Sequence, residues 1–502
     1  MDDTIGSNGL VKKSEFIRII IDALLSLGFG DIAATLEEES RIPLHSNPIK
    51  QFLELLKNGE WDRCIDALQG LELRERDDNA ARVLLLEQKY LEFLKVENSV
   101  DALSTLRMMP PLGVDAERIR ELSSKLMSGP GEDTERSVVL EKLRKLFPPA
   151  VIIPERRLEH LLETAFDLEV YECMYHNIPD SDLSLCSEHR CEKHKIPSET
   201  VQILEEHTDE VWFLKFSHNG KYLASASKDK SAIIWEIDAE RKLLVKHKLV
   251  GHENPVVTVL WSPDDRQVIT CGENEVIKRW DVNSGECVQS YERNGVGSVS
   301  CGWFHDGTGI IGAMEDRRIY LWNLDGTEIE HEQDQRAQKL SDVAMTTDGK
   351  WLVSVGKEPH KISLFDRVTR AERVIEEDDM ITSFSLSKDS KYILIDLTTE
   401  MIQLWNIEGE PNKFYGFEGH KRKRLIIRSC FGGYEESFVA SGSEDSQVYI
   451  WHRREPFLRL RVLPGHSGAV NCVSWNPTDL HMLASASDDG TIRIWGLDKK
   501  LN

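Results

Sequence analysis

Seven alternating apolar stretches close on an aromatic at nearly constant intervals: IIW at Trp235, IKRW at Trp280, IYLW at Trp322, ISLF at Phe365, IQLW at Trp405, VYIW at Trp451 and IRIW at Trp495. The intervals are 45, 42, 43, 40, 46 and 44 residues. One unit of about 43 residues is therefore written seven times, and that period controls the fold. Within a unit the apolar period is two. In VWFLKFSHNGKYLASASKDKSAIIW one run ends at His218-Asn219-Gly220, a second passes through Leu223 and Ala224, and a third closes on Trp235. Such runs are strands joined by tight polar turns, where Gly, Asn and Asp supply the backbone conformations. A small four-stranded sheet cannot bury both faces alone. Seven of them set radially can, and closing the ring leaves only short, protected edges.

Polar residues also fall at fixed places in the units. His207, Ser227, Asp229 and Trp235 mark the first, with Glu206 ahead of the histidine. Gly251-His252 and Trp280 mark the second, where Asn274 takes the Asp position and Gly272 removes the hydroxyl. The sixth carries His420, Ser443, Asp445 and Trp451; the seventh carries His466, Ser487, Asp489 and Trp495. Asp316 and Trp322 survive in the third, and the fourth and fifth have neither histidine nor Asp. This pattern resembles the WD-repeat propeller family, which implies a seven-bladed β-propeller whose His, Ser or Thr, Asp and Trp form a hydrogen-bond network. Histidine, serine and aspartate together also spell a hydrolase triad. A set that recurs once per unit beside the same turn is instead a structural staple, because a buried imidazole needs partners for both nitrogens. TVQIL at 200–204 precedes the first histidine turn without a unit of its own. It is expected as the outer strand of the last blade, which bounds the propeller at 197–502.

Before residue 177 the period changes to that of helices. In SEFIRIIIDALLSLGFGDIAATLEEES, Phe16, Ile19, Ile20, Leu24 and Leu27 recur at helical spacing, Gly28-Phe29-Gly30 breaks the run, and Asp31 opens a second helix carrying Ile32, Ala33 and Leu36. Two short helices make a poor core alone and gain stability by meeting a second copy. These residues, at 11–43, resemble the LisH dimerisation motif, which implies dimer contacts by Phe16, Ile20, Leu24, Leu27, Phe29 and Leu36. A helical hairpin packed on its own chain also fits the pattern. From 44 to 109, Ile49, Phe52 and Leu56 precede Gly59 and Trp61; Gln88-Lys89-Tyr90-Leu91-Glu92 and Asp101-Ala102-Leu103 follow, and Pro110-Pro111 stops the run. This order is similar to the CTLH domain that follows LisH. Residues 110–176 read as further helices, an extension in the manner of the CRA region.

Composition narrows the function. A net charge of −24 disfavours nucleic acid and anionic lipid as partners. No segment reaches the length of a membrane span, and Arg18 and Asp22 interrupt the first apolar run, so neither a membrane anchor nor a signal peptide is expected. Nine scattered cysteines form no disulfide framework and point to a reducing compartment, cytoplasmic and nuclear. Residues 177–196 read as a linker. They hold Cys186, His189, Cys191 and His194 within nine residues. That spacing constrains a tetrahedral site tightly and has no apolar neighbour to bury it, so the stretch is read as solvated chain and no metal or cofactor is expected.

The order LisH, CTLH, helical extension and WD repeats resembles the WD-repeat scaffold subunit of the GID/CTLH type of ubiquitin ligase. That resemblance implies a non-enzymatic adaptor whose helices join other LisH-CTLH subunits, RING subunits and a second copy of itself, while the propeller recruits protein substrates. The sequence shows no phosphate-binding loop, no metalloprotease His pair and no RING-like ligand series. For substrate contact the basic stretch GHKRKRLIIR stands out on an acidic chain, with Lys421, Arg422, Lys423 and Arg424 at a blade turn. A solvated loop or a nuclear-import patch fits those four residues equally. The alternative function is an adaptor of a transcriptional corepressor, which also joins LisH-type helices to WD repeats.

Overall fold

The chain is seen in a computed structural model that describes residues 4–6, 8–71, 73–128, 136–148, 151–179, 183–293, 295–316, 318–333, 342–356, 360–422 and 425–498. It divides into two units, Met1–Leu168 and Glu169–Asn502.

The first unit is helical. Helices α1 (Lys13–Ser26) and α2 (Gly30–Ser40) form a hairpin. Its turn uses Gly28 at φ 86°, a conformation in which a side chain is strained, and the Phe29 N–H closes on the Leu24 carbonyl at 2.8 Å. Helices α3 (Asn47–Asn58), α4 (Trp61–Ala67), α5 (Glu75–Lys95), α6 (Ser99–Leu106), α7 (Ala116–Ser128) and α8 (Arg136–Leu146) follow. Phe52, Leu56, Trp61, Leu85, Leu143 and Phe147 share one core, and Leu86, Tyr90, Ala102, Leu106 and Leu122 a second. The motif residues around Gly59 and Glu92 make one polar knot inside this bundle. Glu92 accepts from Trp61 Nε1 at 3.0 Å and from Arg136 Nε and Nη2 at 2.8 and 3.0 Å, while Arg136 Nη1 donates to the carbonyl of Lys57 at 2.6 Å. The Arg136 guanidinium crosses close over Gly59, where a Cβ would fall 2.3 Å from it.

Helix α9 (Arg157–Glu172) spans the division between the units. It ends at Glu172, so Cys173 to His176 leave the helix that the sequence extends to 176.

In the second unit the described residues form seven four-stranded antiparallel sheets in the order the repeat predicts. Blade 1 runs over strands Val211–Phe216, Tyr222–Ser227, Ser231–Ile237 and Leu243–Val250. Blade 7 takes Val470–Trp475, Leu483–Ser487 and Ile492–Gly496 from the end of the chain and its fourth strand, Glu199–Leu204, from before blade 1. Thr200 pairs with Trp495 and Leu204 with Ile492, so the two ends of the propeller close on each other. The Gln202 side chain then sews blade 7 to blade 1, donating to the Leu243 carbonyl at 2.8 Å and accepting its N–H at 2.9 Å. Trp235, Trp451 and Trp495 are fully buried between blades. Trp303, Trp351 and Trp475 are also packing residues, as their strand positions imply.

Candidate interaction sites

The repeated polar residues assemble into staples in three blades. In blade 1 Trp235 Nε1 donates to Ser225 Oγ at 3.0 Å, Ser225 Oγ lies 2.8 Å from His207 Nε2, and His207 Nδ1 lies 2.9 Å from Asp229 Oδ2. Asp229 also accepts the Thr208 N–H and the Ser231 hydroxyl. Blade 7 repeats the chain through Trp495, Ser485, His466 and Asp489. The hydroxyls at the centre are thus Ser225 and Ser485, a correction to Ser227 and Ser487. Those two serines serve the turn instead: Ser227 donates to the Glu210 carbonyl, and the Asp489 N–H donates to Ser487. Burial opposes the charge on Asp229 and Asp489, but hydrogen bonds from His207, Ser231 and Thr208 to the first, and from His466, Ser467 and Thr491 to the second, outweigh it. Both carboxyls are held well below the usual carboxylate range.

Blade 2 builds the same network from different residues. His252 lies 2.7 Å from Thr270 Oγ1, which accepts from Trp280 Nε1, and its Nδ1 lies 3.0 Å from Glu275 Oε2. Gly272 therefore does not cost the blade its hydroxyl, and Glu275 rather than Asn274 supplies the carboxylate. Asn274 takes the left-handed turn position, at φ 53°. Blade 6 has the residues without the network. Neither nitrogen of His420 has a hydrogen-bond partner among the described residues, Trp451 Nε1 turns to the Glu418 carbonyl at 3.2 Å, and Asp445 accepts from Tyr449 Oη at 2.8 Å. Ser443 accepts the Lys421 N–H at 2.8 Å. In blade 3 Asp316 accepts from Tyr320 Oη at 2.7 Å, and Trp322 is buried with Gly312 at the place that Ser225 takes in blade 1.

The basic stretch is divided by burial. Lys421 is exposed, but Arg422 is only 3% accessible and donates inward to the Leu397, Leu425 and Ile427 carbonyls. Arg428 likewise turns in to pair with Asp342. Arg422 is thereby removed from the expected binding surface, and Lys423 and Arg424 lie outside the described residues.

On the α1–α2 hairpin, Phe16, Leu27 and Phe29 are 40%, 65% and 53% exposed, and Leu25 and Ile32, which are not among the six dimer residues that the resemblance implies, are exposed with them. Ile20, Leu24 and Leu36 are half-buried, and Ile21 and Ala33 form the hairpin's own core. The connector behaves differently from a solvated linker. Asn177 is buried and donates to the Lys195 and Leu480 carbonyls at 3.0 and 2.8 Å, while its Oδ1 accepts the Tyr434 N–H at 3.0 Å. Of the four Cys and His residues singled out there, His189 and Cys191 meet Cys173 and His176 from the end of α9. Cys186 stays exposed, and His194 pairs with Glu192.

Residues 2–46 match the model of the WDR26 Lis-homology domain, and the WD domain, G-beta repeat, matches at 198–236, 244–281, 411–452 and 457–496. A WD repeat-containing protein 26 homolog of Arabidopsis thaliana is 60% identical over 99% of this chain and 87% of its own. The chain belongs to the WD repeat-containing protein 26 family. Also similar are the WD repeat-containing protein WDS homolog of Arabidopsis thaliana, 45% identical over 99% of this chain and 98% of its own, and GID complex subunit 7 of Schizosaccharomyces pombe, 33% identical over 96% of each. The four matched repeats are the first two and last two, the blades that carry a histidine and a hydroxyl ahead of the tryptophan. Like the rest of the WD repeat-containing protein 26 family, the protein is a non-catalytic propeller scaffold, so its polar clusters are read as packing and its function as binding. No helix among the described residues is long and apolar enough to cross a membrane.

Proposed function

We propose that this scaffold is a subunit of a GID/CTLH-type ubiquitin ligase, self-associating through α1–α2 and bringing protein substrates on its propeller to RING-bearing subunits. The observation that carries the reading is the exposed apolar strip of Phe16, Leu25, Leu27, Phe29 and Ile32 on a hairpin whose own core is only a few residues. Such a strip is covered in a stable protein, and a second hairpin of the same kind fits it. The similarity to GID complex subunit 7 along nearly the full length of both chains supports the choice of assembly. The mechanism is geometric: a dimeric scaffold holds two substrate sites and raises the effective concentration of acceptor lysines near the conjugating enzyme. It operates in the cytoplasm and nucleus.

The test is mass spectrometry of the tagged protein purified at native abundance, alongside Leu27→Asp/Phe29→Asp. LisH-CTLH and RING subunits are expected with the wild type, and the variant is expected to halve in mass by light scattering while its propeller melts normally. Corepressor components without a RING subunit would replace this reading with the adaptor alternative. An unchanged mass would reject self-association through the hairpin.

A further inference from the structure

We propose that Cys173, His176, His189 and Cys191 form a tetrahedral zinc site that clips the connector onto the propeller unit. One ligand atom from each of the four lies within 4.8 Å of all the others. Cys191 Sγ is 3.3 Å from His189 Nε2 and 3.8 Å from His176 Nδ1, and the two ring nitrogens are 2.8 Å apart. With Zn–S near 2.3 Å and Zn–N near 2.0–2.1 Å, a tetrahedron has edges of roughly 3.3–3.8 Å. To hold the ion the His–His edge must therefore open by about half an ångström, and any edge near the 4.8 Å limit must close by about 1 Å.

Two segments make the site. One is the exit of α9, which presents a Cys and a His three residues apart; the other is the returning connector, which presents a His and a Cys two apart. The scaffold around them is built. His176 is buried and packs edge-on against Tyr434 at 4.9 Å, and its neighbour Asn177 is held by its three hydrogen bonds. The His189 N–H donates to Glu169 Oε2 at 3.1 Å, and the Cys191 N–H donates to Cys173 Sγ at 3.3 Å, the outer contact that supports a metal-bound thiolate. Arg454 stacks on Tyr171 at 3.8 Å and donates to its carbonyl, fixing the helix exit against blade 6.

The ligand chemistry selects the ion. Two sulfurs and two imidazoles suit zinc and leave calcium or magnesium without their oxygen ligands. Two thiolates neutralise the dication, and four protein ligands fill its coordination sphere, so the site is structural rather than catalytic.

The test uses the full-length protein purified under reducing conditions without chelator. Elemental analysis is expected to find one zinc per chain, and cobalt substitution is expected to give the visible bands of a tetrahedral thiolate site. Cys173→Ser and Cys191→Ser should lose the metal, whereas Cys186→Ser and His194→Asn should keep it. Should the first pair fail to fold, alkylation of the native wild type decides: Cys173 and Cys191 should be protected relative to Cys186 until a chelator is added. Free, equally reactive thiols with no zinc would overturn the site. So would a Cys173–Cys191 disulfide in the reduced preparation, or metal retained by the double Cys173→Ser/Cys191→Ser variant.

Discussion

At the scale of single residues, the staples differ enough between blades to be told apart by substitution. Asp489 accepts from His466, Ser467 and Thr491, so Asp489→Ala strands the buried imidazole and breaks two further, less buried bonds, and is expected to cost about 1–3 kcal/mol in denaturant unfolding. Asp445→Ala removes one bond to Tyr449 in a blade whose histidine is already unpaired, and a loss below about 1 kcal/mol is expected. Equal losses would mean that blade 6 forms the same network in solution. His420 supplies a second measurement. Burial first, and the Arg422 charge second, push its imidazole down to about 4, so the folded protein holds it neutral where the unfolded chain begins to bind a proton. Its contribution is intact above the ordinary histidine value and is lost as pH falls from there toward about 4. His420→Phe should therefore shrink the drop in unfolding free energy between pH 7 and pH 5 by about 2 kcal/mol. An unchanged pH slope would place the titration elsewhere, His452, also pushed down to about 4, being the nearest rival in kind. The tryptophans of these networks were legible from their period alone. The serines were not: Ser225 and Ser227 are two apart on one strand, so they share a face, and only the depth of the imidazole decides between them. Glu275 escaped for a related reason, since a longer side chain reaches the same histidine from one position further along a different turn.

At the scale of elements, periodicity carried most of the reading, and its errors fall where an element ends. The strand at 199–204 was legible because it had no unit of its own, and a ring needs a partner for its last outer edge. Helix α9 ends four residues short of the stretch that its composition predicts, since Cys173, Met174 and Tyr175 continue an unremarkable helical composition. What stops it is tertiary: Asn177 is claimed by Lys195, Leu480 and Tyr434, residues distant in sequence. The Cys and His residues of the connector show the same limit: the sequence places four of them in one short stretch, whereas the fold brings His189 and Cys191 together with Cys173 and His176 and leaves Cys186 exposed and His194 beside Glu192. Basic character misled in the same way, because a run of Lys and Arg reads as surface while Arg422 finds its carbonyl partners inside.

At the scale of the whole molecule, the repeat suggests a propeller that starts at 197, and the contacts place the start of its unit at Glu169. These two boundaries make different fragments. Cutting at 197 deletes Ile196, which is fully buried in the core beneath blades 6 and 7 with Phe438, Leu460 and Trp475, and Tyr175, which packs against that core. It also deletes Asn177, so that of its two donors the Leu480 carbonyl keeps only Trp475 Nε1. Burial of one isoleucine contributes about 1.5–3 kcal/mol and each lost hydrogen bond about 1 kcal/mol. A 169–502 fragment should therefore unfold at a clearly higher denaturant midpoint than 197–502, with a comparable slope, because ring closure by the 199–204 strand is preserved in both. If the two midpoints coincided, residues 169–196 would be a tether that stabilises nothing. If 197–502 alone were insoluble, co-expression with a separate 169–196 peptide should rescue it, since that peptide supplies the buried isoleucine, the asparagine and the Cys-His set in one piece.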